Sequence, residues 1–165
     1  MNPVRSTLRL AAIVAIAAAA TAQAFPVHAG DHVYRVDNPV YQQECGSCHV
    51  AYPPQLLSTY SWYAVMTGLE AHFGTDASLD RKQRGQIVAY LALNASERDT
   101  SAGGMPLLRI TETRWFAKEH RKEIAAGAAR REEVKSMANC DACHRGADRF
   151  DYAGRSLDVP GGRTR

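Results

Sequence analysis

Cysteine is scarce in this chain, at four in 165 residues, which excludes a disulfide-stapled scaffold because such folds need a far denser set. Long apolar runs are nearly missing too. The one candidate, residues 10–20, is shorter than the about 20 residues that span a membrane. Neither sign of charge dominates: 20 Lys and Arg against 17 Asp and Glu give a formal net of +3. The two signs are interspersed, which argues against nucleic-acid binding, and the clusters Arg81-Lys82-Gln83-Arg84 and Arg130-Arg131 read as solvated helix faces. Strand-like alternation is absent around the cysteines, so a thioredoxin-type motif lacks the βαβ setting it needs.

What the four cysteines do is specific. All of them fall in two copies of Cys-x-x-Cys-His, namely Cys45-Gly46-Ser47-Cys48-His49 and Cys140-Asp141-Ala142-Cys143-His144. This is the attachment pattern of c-type haem. Thiols three positions apart lie near one helical turn from each other, so both reach the vinyl groups on one edge of a porphyrin. The adjacent histidine is then held beneath the ring, where its imidazole can ligate iron. Zinc and disulfides are the rival uses. Paired zinc motifs usually lie within roughly 15–20 residues of each other, whereas 91 residues, 49–139, separate Cys48 from Cys140. Zinc also leaves both histidines unexplained, and a bridge within one pair would close a very small loop. The pattern points to two covalently bound haem c groups, attached through Cys45, Cys48, Cys140 and Cys143, with His49 and His144 on the irons.

The N-terminus agrees with this. Arg5 and Arg9 precede the apolar stretch, and Ala22-Gln23-Ala24 supplies a small-residue cleavage site, so residues 1–24 read as a signal peptide cut after Ala24. An uncleaved anchor is the alternative. Bacteria attach c-type haem outside the cytoplasm, so the expected location is the periplasm, with no transmembrane segment in the mature chain.

The rest of the pattern predicts an all-α fold. Residues 31–40 read as an extended lead-in, and a helix carries the first motif as far as Tyr52-Pro53-Pro54. Ser58 caps the next helix, in which Trp62, Val65, Met66, Leu69 and Phe73 recur at helical spacing before Gly74 ends it. A third opens at residues 78–80 and runs to 93, with Ile87, Val88 and Leu91 on one face. Residues 94–106 are the clearest linker. Thr111 or Thr113 then caps a helix to residue 124, another from residue 130 leads into the second motif, and the tail from Gly146 carries little regular structure. The expected division is an N-terminal haem domain at 25–94, a linker at 95–106, a C-terminal haem domain at 107–148 and an irregular tail at 149–165.

Each iron has a second axial position. Of the six histidines, His49 and His144 belong to the motifs, and His28 and His32 lie near the new N-terminus. That leaves His72 and His120, one for each haem. Met66 falls on the apolar stripe and reads as core; Met105, before Pro106, is the competitor to His72. Phe116, His120 and Ile124 are four apart and share a helix face. The spacings nearly mirror each other, 23 residues from His49 forward to His72 and 24 from His144 back to His120. The expected pairs are His49 with His72 and His144 with His120; a crossed arrangement is the alternative.

The order of motif, ligand loop and closing helix with Val88-Ala89-Tyr90-Leu91 resembles a class I cytochrome c, with Ala71-His72-Phe73-Gly74 standing where that family usually has a methionine. Most of the mature chain resembles the bacterial dihaem (diheme) cytochrome c family. The residues that carry this are Glu44 to His49 with Ala51-Tyr52-Pro53-Pro54, His72-Phe73-Gly74, Arg109-Ile110-Thr111-Glu112-Thr113 with Trp115-Phe116 and Glu119-His120, and Asn139 to His144. The resemblance implies bis-histidine, low-spin haems and electron transfer with redox partners. Those would include a high-spin monohaem cytochrome or a membrane-bound b-type cytochrome. Two imidazoles per iron predict low potentials, because methionine in their place raises the potential. The expectation is therefore an electron carrier and not an enzyme. The alternative is a peroxidase-like or oxygen- or nitric-oxide-binding protein with one five-coordinate haem.

Overall fold

The computed structural model of the protein describes residues 33–161. The expected signal peptide, its cleavage point, His28 and His32 lie outside them, as do residues 162–165. Helix α1 (Pro39–Cys45) starts earlier than the lead-in suggested. Pro39 sits at its first position, where the missing N–H costs nothing, and the Asn38 side chain accepts the Tyr41 N–H at 2.9 Å. It also ends earlier, at Gly46, before most of the motif. The Ser47 hydroxyl donates to the Glu44 carbonyl at 2.9 Å, taking up a group that a continuing helix would need. A Cβ at Gly46 would lie 2.3 Å from the Gln42 carbonyl oxygen, so the turn demands glycine.

Ser58 caps α2 (Thr59–Thr67) as expected, and Asp80 caps α3 (Arg81–Asn94), accepting the Lys82 and Gln83 N–H groups. Helix α2 stops at Gly68 and not at Gly74. A 3₁₀ turn at Leu69–Ala71 follows, and residues 72–75 then reverse the chain, with Phe73 at φ +49° and Gly74 at φ +94°. Two positive φ values at the centre make a type I′ turn, so Phe73 leaves the apolar stripe and is 48% exposed. Tyr41 from α1, Trp62 and Met66 from α2, and Ile87, Tyr90 and Leu91 from α3 form one buried cluster with Leu57.

Residues 95–106 carry a small antiparallel hairpin, β1 (Ser101–Ala102) and β2 (Met105–Pro106), closed by Gly103 and Gly104 at φ +59° and +79°. Two glycines in succession suit such a two-residue turn. The all-α expectation is thereby corrected: the described residues are mostly helical with one two-stranded sheet. The stretch is pinned down by buried Thr100, whose hydroxyl meets the hydroxyls of Ser58 and Ser61, both at 2.8 Å.

Beyond it, Thr113 caps α4 (Arg114–Glu119), and the expected single helix breaks at His120 before α5 (Arg121–Ala125). Both the backbone N–H and Nδ1 of His120 donate to the Phe116 carbonyl, and φ −102°, ψ 18° at His120 departs from helical values. The helix expected from residue 130 does not form. Lys135 adopts φ +61°, Arg131 donates to the Pro160 carbonyl, and the Asn139 amide donates to the Val134 carbonyl at 3.1 Å. Only 3₁₀ turns at Ala128–Arg130 and Cys140–Ala142 precede and enter the second motif.

The tail is not loose. Its 3₁₀ turns at Ala147–Arg149 and Gly154–Ser156 are tied to the motif, with the Asp158 N–H on the Cys143 carbonyl at 2.8 Å. Phe150 is buried in the cluster built by α1, α2 and α3, and its carbonyl accepts the Tyr34 N–H at 2.9 Å. Both ends of the described chain thus close one core. Among the described residues no helix is long and apolar enough to cross a membrane.

Candidate haem sites

Each motif histidine faces one distant histidine. His49 and His72 have ring centres 6.5 Å apart at an interplanar angle of 25°. His120 and His144 have centres 6.0 Å apart at 73°. Imidazole nitrogens bind such metals at about 2.0 Å, and the ring centre lies about 1.1 Å further back. Two imidazoles on opposite sides of one ion therefore have centres about 6 Å apart. Both pairs meet that requirement, in the uncrossed arrangement. Met105, the competitor to His72, lies on the hairpin and is 68% exposed, while Met66 is buried in the core.

In the first pair, His49 follows the turn that ends α1, and Nδ1 donates to the Val50 carbonyl at 2.8 Å. That bond leaves Nε2 with the free lone pair a metal needs. The nearby Pro54 carbonyl is taken by the Trp62 indole N–H, at 2.7 Å. His72 opens the type I′ turn, with the Phe73 ring edge-on at 4.8 Å and the Arg109 guanidinium over Phe73 at 3.9 Å. Burial lowers the His72 pKa, and facing His49 and nearby Arg109 lower it further. The ring is thus held neutral, the form that ligates. Burial pushes the Cys45 thiol up to about 12, with Glu44 adding to it, while Cys48 is exposed.

The second pair is enclosed. His120 stacks on Phe116 at 3.9 Å and 14°, and its Nδ1 donates to the Phe116 carbonyl at 3.1 Å, again freeing Nε2. Burial lowers the His144 pKa, and the facing His120 adds to this. Its ring lies 5.1 Å from that of Tyr152. Burial also pushes the Cys140 thiol up to about 12. Cys140, Cys143, His120 and His144 together line a cavity of ≈ 200 Å³, whose other walls include Trp115, Phe116, Val134 and Tyr152.

These residues fit the group their motifs call for. An apolar cavity with two thiols and two facing imidazoles on its wall matches a porphyrin held by thioethers and two axial nitrogens. Buried His144 Nδ1 has no hydrogen-bond partner among the described residues. The alternatives fit less well. All four cysteines are free, and among the described residues no three His, Cys, Asp or Glu side chains converge as a metal site would require.

Several participants escaped the sequence reading. The Val50 and Phe116 carbonyls are backbone groups and leave no trace in residue type. Tyr152 sits in the segment expected to be irregular. Tyr52 stacks on His49 at 4.7 Å and 21°; its place directly after the first motif was the available signal. Among the aromatic side chains, Phe73 touches His72, Phe116 stacks on His120 and Trp115 lines the cavity, whereas Trp62 is buried in the helical core.

The family model for dihaem cytochrome c matches residues 41–152. Three solved structures are similar over most of their own length. DHC purified from Rhodobacter sphaeroides is 45% identical, with 71% of this chain and 98% of that one covered and a TM-score of 0.61. A structure described as diheme cytochrome c from Rhodobacter sphaeroides is 41% identical, covers 72% and 99%, and has a TM-score of 0.63. The diheme cytochrome type c of Shewanella baltica OS155 is 33% identical, covers 75% and 94%, and has a TM-score of 0.64. No curated protein matches.

Proposed function

Because this chain belongs to the dihaem cytochrome c family, and so carries two covalently bound c-type haems, we propose that it relays single electrons between redox partners through two low-spin irons, each closed by two imidazoles. Cys45 and Cys48 attach the first haem between His49 and His72. Cys140 and Cys143 attach the second between His144 and His120. The observation that carries this reading is the pair of ring-centre distances, 6.5 and 6.0 Å, each matching one metal ion between two facing imidazoles.

When bound, each haem supplies an iron that alternates between ferric and ferrous states. The chain's own work is to keep that change small in structural terms. Neutral imidazoles suit both states, and the bonds from His49 to Val50 and from His120 to Phe116 hold their rings in one tautomer and orientation,. If His49 with His72 and His144 with His120 held the two irons, the chain would leave no position for a substrate there, which would favour transfer over catalysis. A second imidazole in place of methionine lowers the potential, so both centres should titrate below a typical His/Met cytochrome.

The finer assignments belong to the same proposal. The chain is exported, cut after Ala24 and works in the periplasm. Residues 25–94 form a class I-like haem unit and residues 107–148 a second unit, joined through 95–106. Its partners are redox proteins, such as a high-spin monohaem cytochrome or a membrane-bound b-type cytochrome. The test is an optical spectrum of the reduced protein with and without carbon monoxide. A low-spin spectrum without a shift is expected; a clear shift would instead support a haem enzyme or gas-binding protein. His72→Ala and His120→Ala should each convert one haem to high spin and spare the other. A variant that changes neither haem overturns that ligand.

A further inference from the structure

Tyr52 joins the two ligand pairs. Its ring stacks on the His49 imidazole, with centres 4.7 Å apart and planes at 21°. Its hydroxyl donates at 2.8 Å to the carbonyl of Ala138, 86 positions away in sequence. That carbonyl lies 3.7 Å from the Sγ of Cys140, which attaches the second haem in the assignment above. The Tyr52 carbonyl also accepts the hydroxyl of buried Tyr41, a bond that lies to one side of these contacts. An unbroken run of contacts therefore leads from the first iron ligand to the second attachment sulfur: ring on ring, hydroxyl to carbonyl, carbonyl to sulfur.

A side chain that merely shielded His49 would need only the ring, and phenylalanine would serve. One that merely clamped the two halves would need only the hydroxyl. Tyr52 has both groups in place at once, and electronic coupling falls off more slowly through bonded and hydrogen-bonded atoms than across open gaps. We propose that Tyr52 is the coupling residue between the two haem sites. In each exchange one ferrous iron loses one electron and one ferric iron gains it, along the His49, Tyr52, Ala138 and Cys140 contacts. Tyr52 keeps its own electrons and its proton throughout. The inference rests on the ligand and attachment assignments of the preceding section.

The experiment uses the full-length holoprotein. A photoreductant supplies less than one electron per molecule, and freeze-quench electron paramagnetic resonance follows redistribution between the two haems. Tyr52→Phe keeps the stacked ring and removes the hydroxyl; it should slow the redistribution several-fold while both midpoint potentials and both low-spin signatures match the parent. Tyr52→Leu should slow it further. Tyr41→Phe removes a hydrogen bond from the same region without breaking the run of contacts, so it should exchange electrons at the parental rate. An unchanged rate in Tyr52→Phe overturns the proposal. So does slowing seen only together with shifted potentials, equal slowing in Tyr41→Phe, or exchange too slow to observe in the parent. A carbon-monoxide shift in the parent would sink the ligand assignment separately, and the rates would still decide the coupling.

Discussion

The part of the chain around the first motif and the part around the second reach a packed interior by opposite routes. Helices α1 to α3 bring Tyr41, Trp62, Met66, Ile87, Tyr90 and Leu91 into contact, and these large side chains fill the space between them. His49 stands at the rim of that core and is exposed. Residues 107–161 bury Phe116, Val134 and a set of alanines, Ala128, Ala142, Ala147 and Ala153, and keep a cavity lined by His120, His144 and both thiols. Small side chains cannot close such a space. The first region is a helical core with a haem site on its edge, and the second is built around its haem. Its one large contribution to the helical core is Phe150, which reaches out of it into the first region.

The sharpest test of this contrast removes one haem at a time. The ≈ 200 Å³ cavity leaves the second region without the large side chains that fill the first, so its packing depends on what occupies that space. The doubly substituted Cys140→Ser, Cys143→Ser chain should lose the second haem and, with it, hydrogen-exchange protection across residues 107–161. The matching Cys45→Ser, Cys48→Ser chain should lose the first haem and keep α2 and α3 protected. Equal loss of protection in the two would break the contrast.

Next in size is Phe150→Ala. Truncating a buried phenylalanine costs about 3–5 kcal/mol, and here the loss falls on the helical core although the residue belongs to the tail. Chemical denaturation followed by circular dichroism should show it, and a cost below about 1 kcal/mol would mean the two regions pack independently. Thr113→Ala should cost about 1 kcal/mol, the usual loss of an N-cap, since its hydroxyl receives the Phe116 N–H at 3.1 Å. The cost should appear as weaker exchange protection in α4, with α2 unaffected; an equal change in α2 would blur the distinction.

The smallest expected effect in energy is the clearest in spectroscopy. The imidazole planes are near-parallel at the first site, 25°, and near-perpendicular at the second, 73°. Near-parallel rings split the iron orbitals that carry the unpaired electron, and perpendicular rings leave them nearly equal in energy. Oxidised protein should therefore give one ordinary rhombic low-spin signal and one of much larger anisotropy. His120→Ala should remove the second and His72→Ala the first; two identical rhombic signals would contradict the geometry.

How much of this could be read in advance differs between the same two regions. The cap Ser58, the helix start at residues 78–80, the choice of Thr111 or Thr113 as a cap and the face of Ile87, Val88 and Leu91 were legible because they are local: a side chain satisfies a backbone group a few residues away, or recurs at the helical period. Phe73 was misplaced on the stripe of α2 because helical spacing continued past Gly68, where the helix stops. A helix was expected from residue 130 into the second motif, yet Arg131 and Asn139 bond carbonyls outside any helix. Tail residues near Gly146 looked irregular because their partners, Tyr34 and Cys143, are specified by no pattern in the tail itself.

By itself the amino-acid order determined the chemistry of attachment and the starts of α2 and α3, since thiol spacing, an adjacent imidazole and helix caps act over a few residues. Only the folded chain decided that His72 meets His49, that His120 meets His144, and that Tyr52 spans the gap between the sites. Those meetings join residues tens of positions apart, and they depend on how the core packs and what fills it, which no short-range pattern encodes.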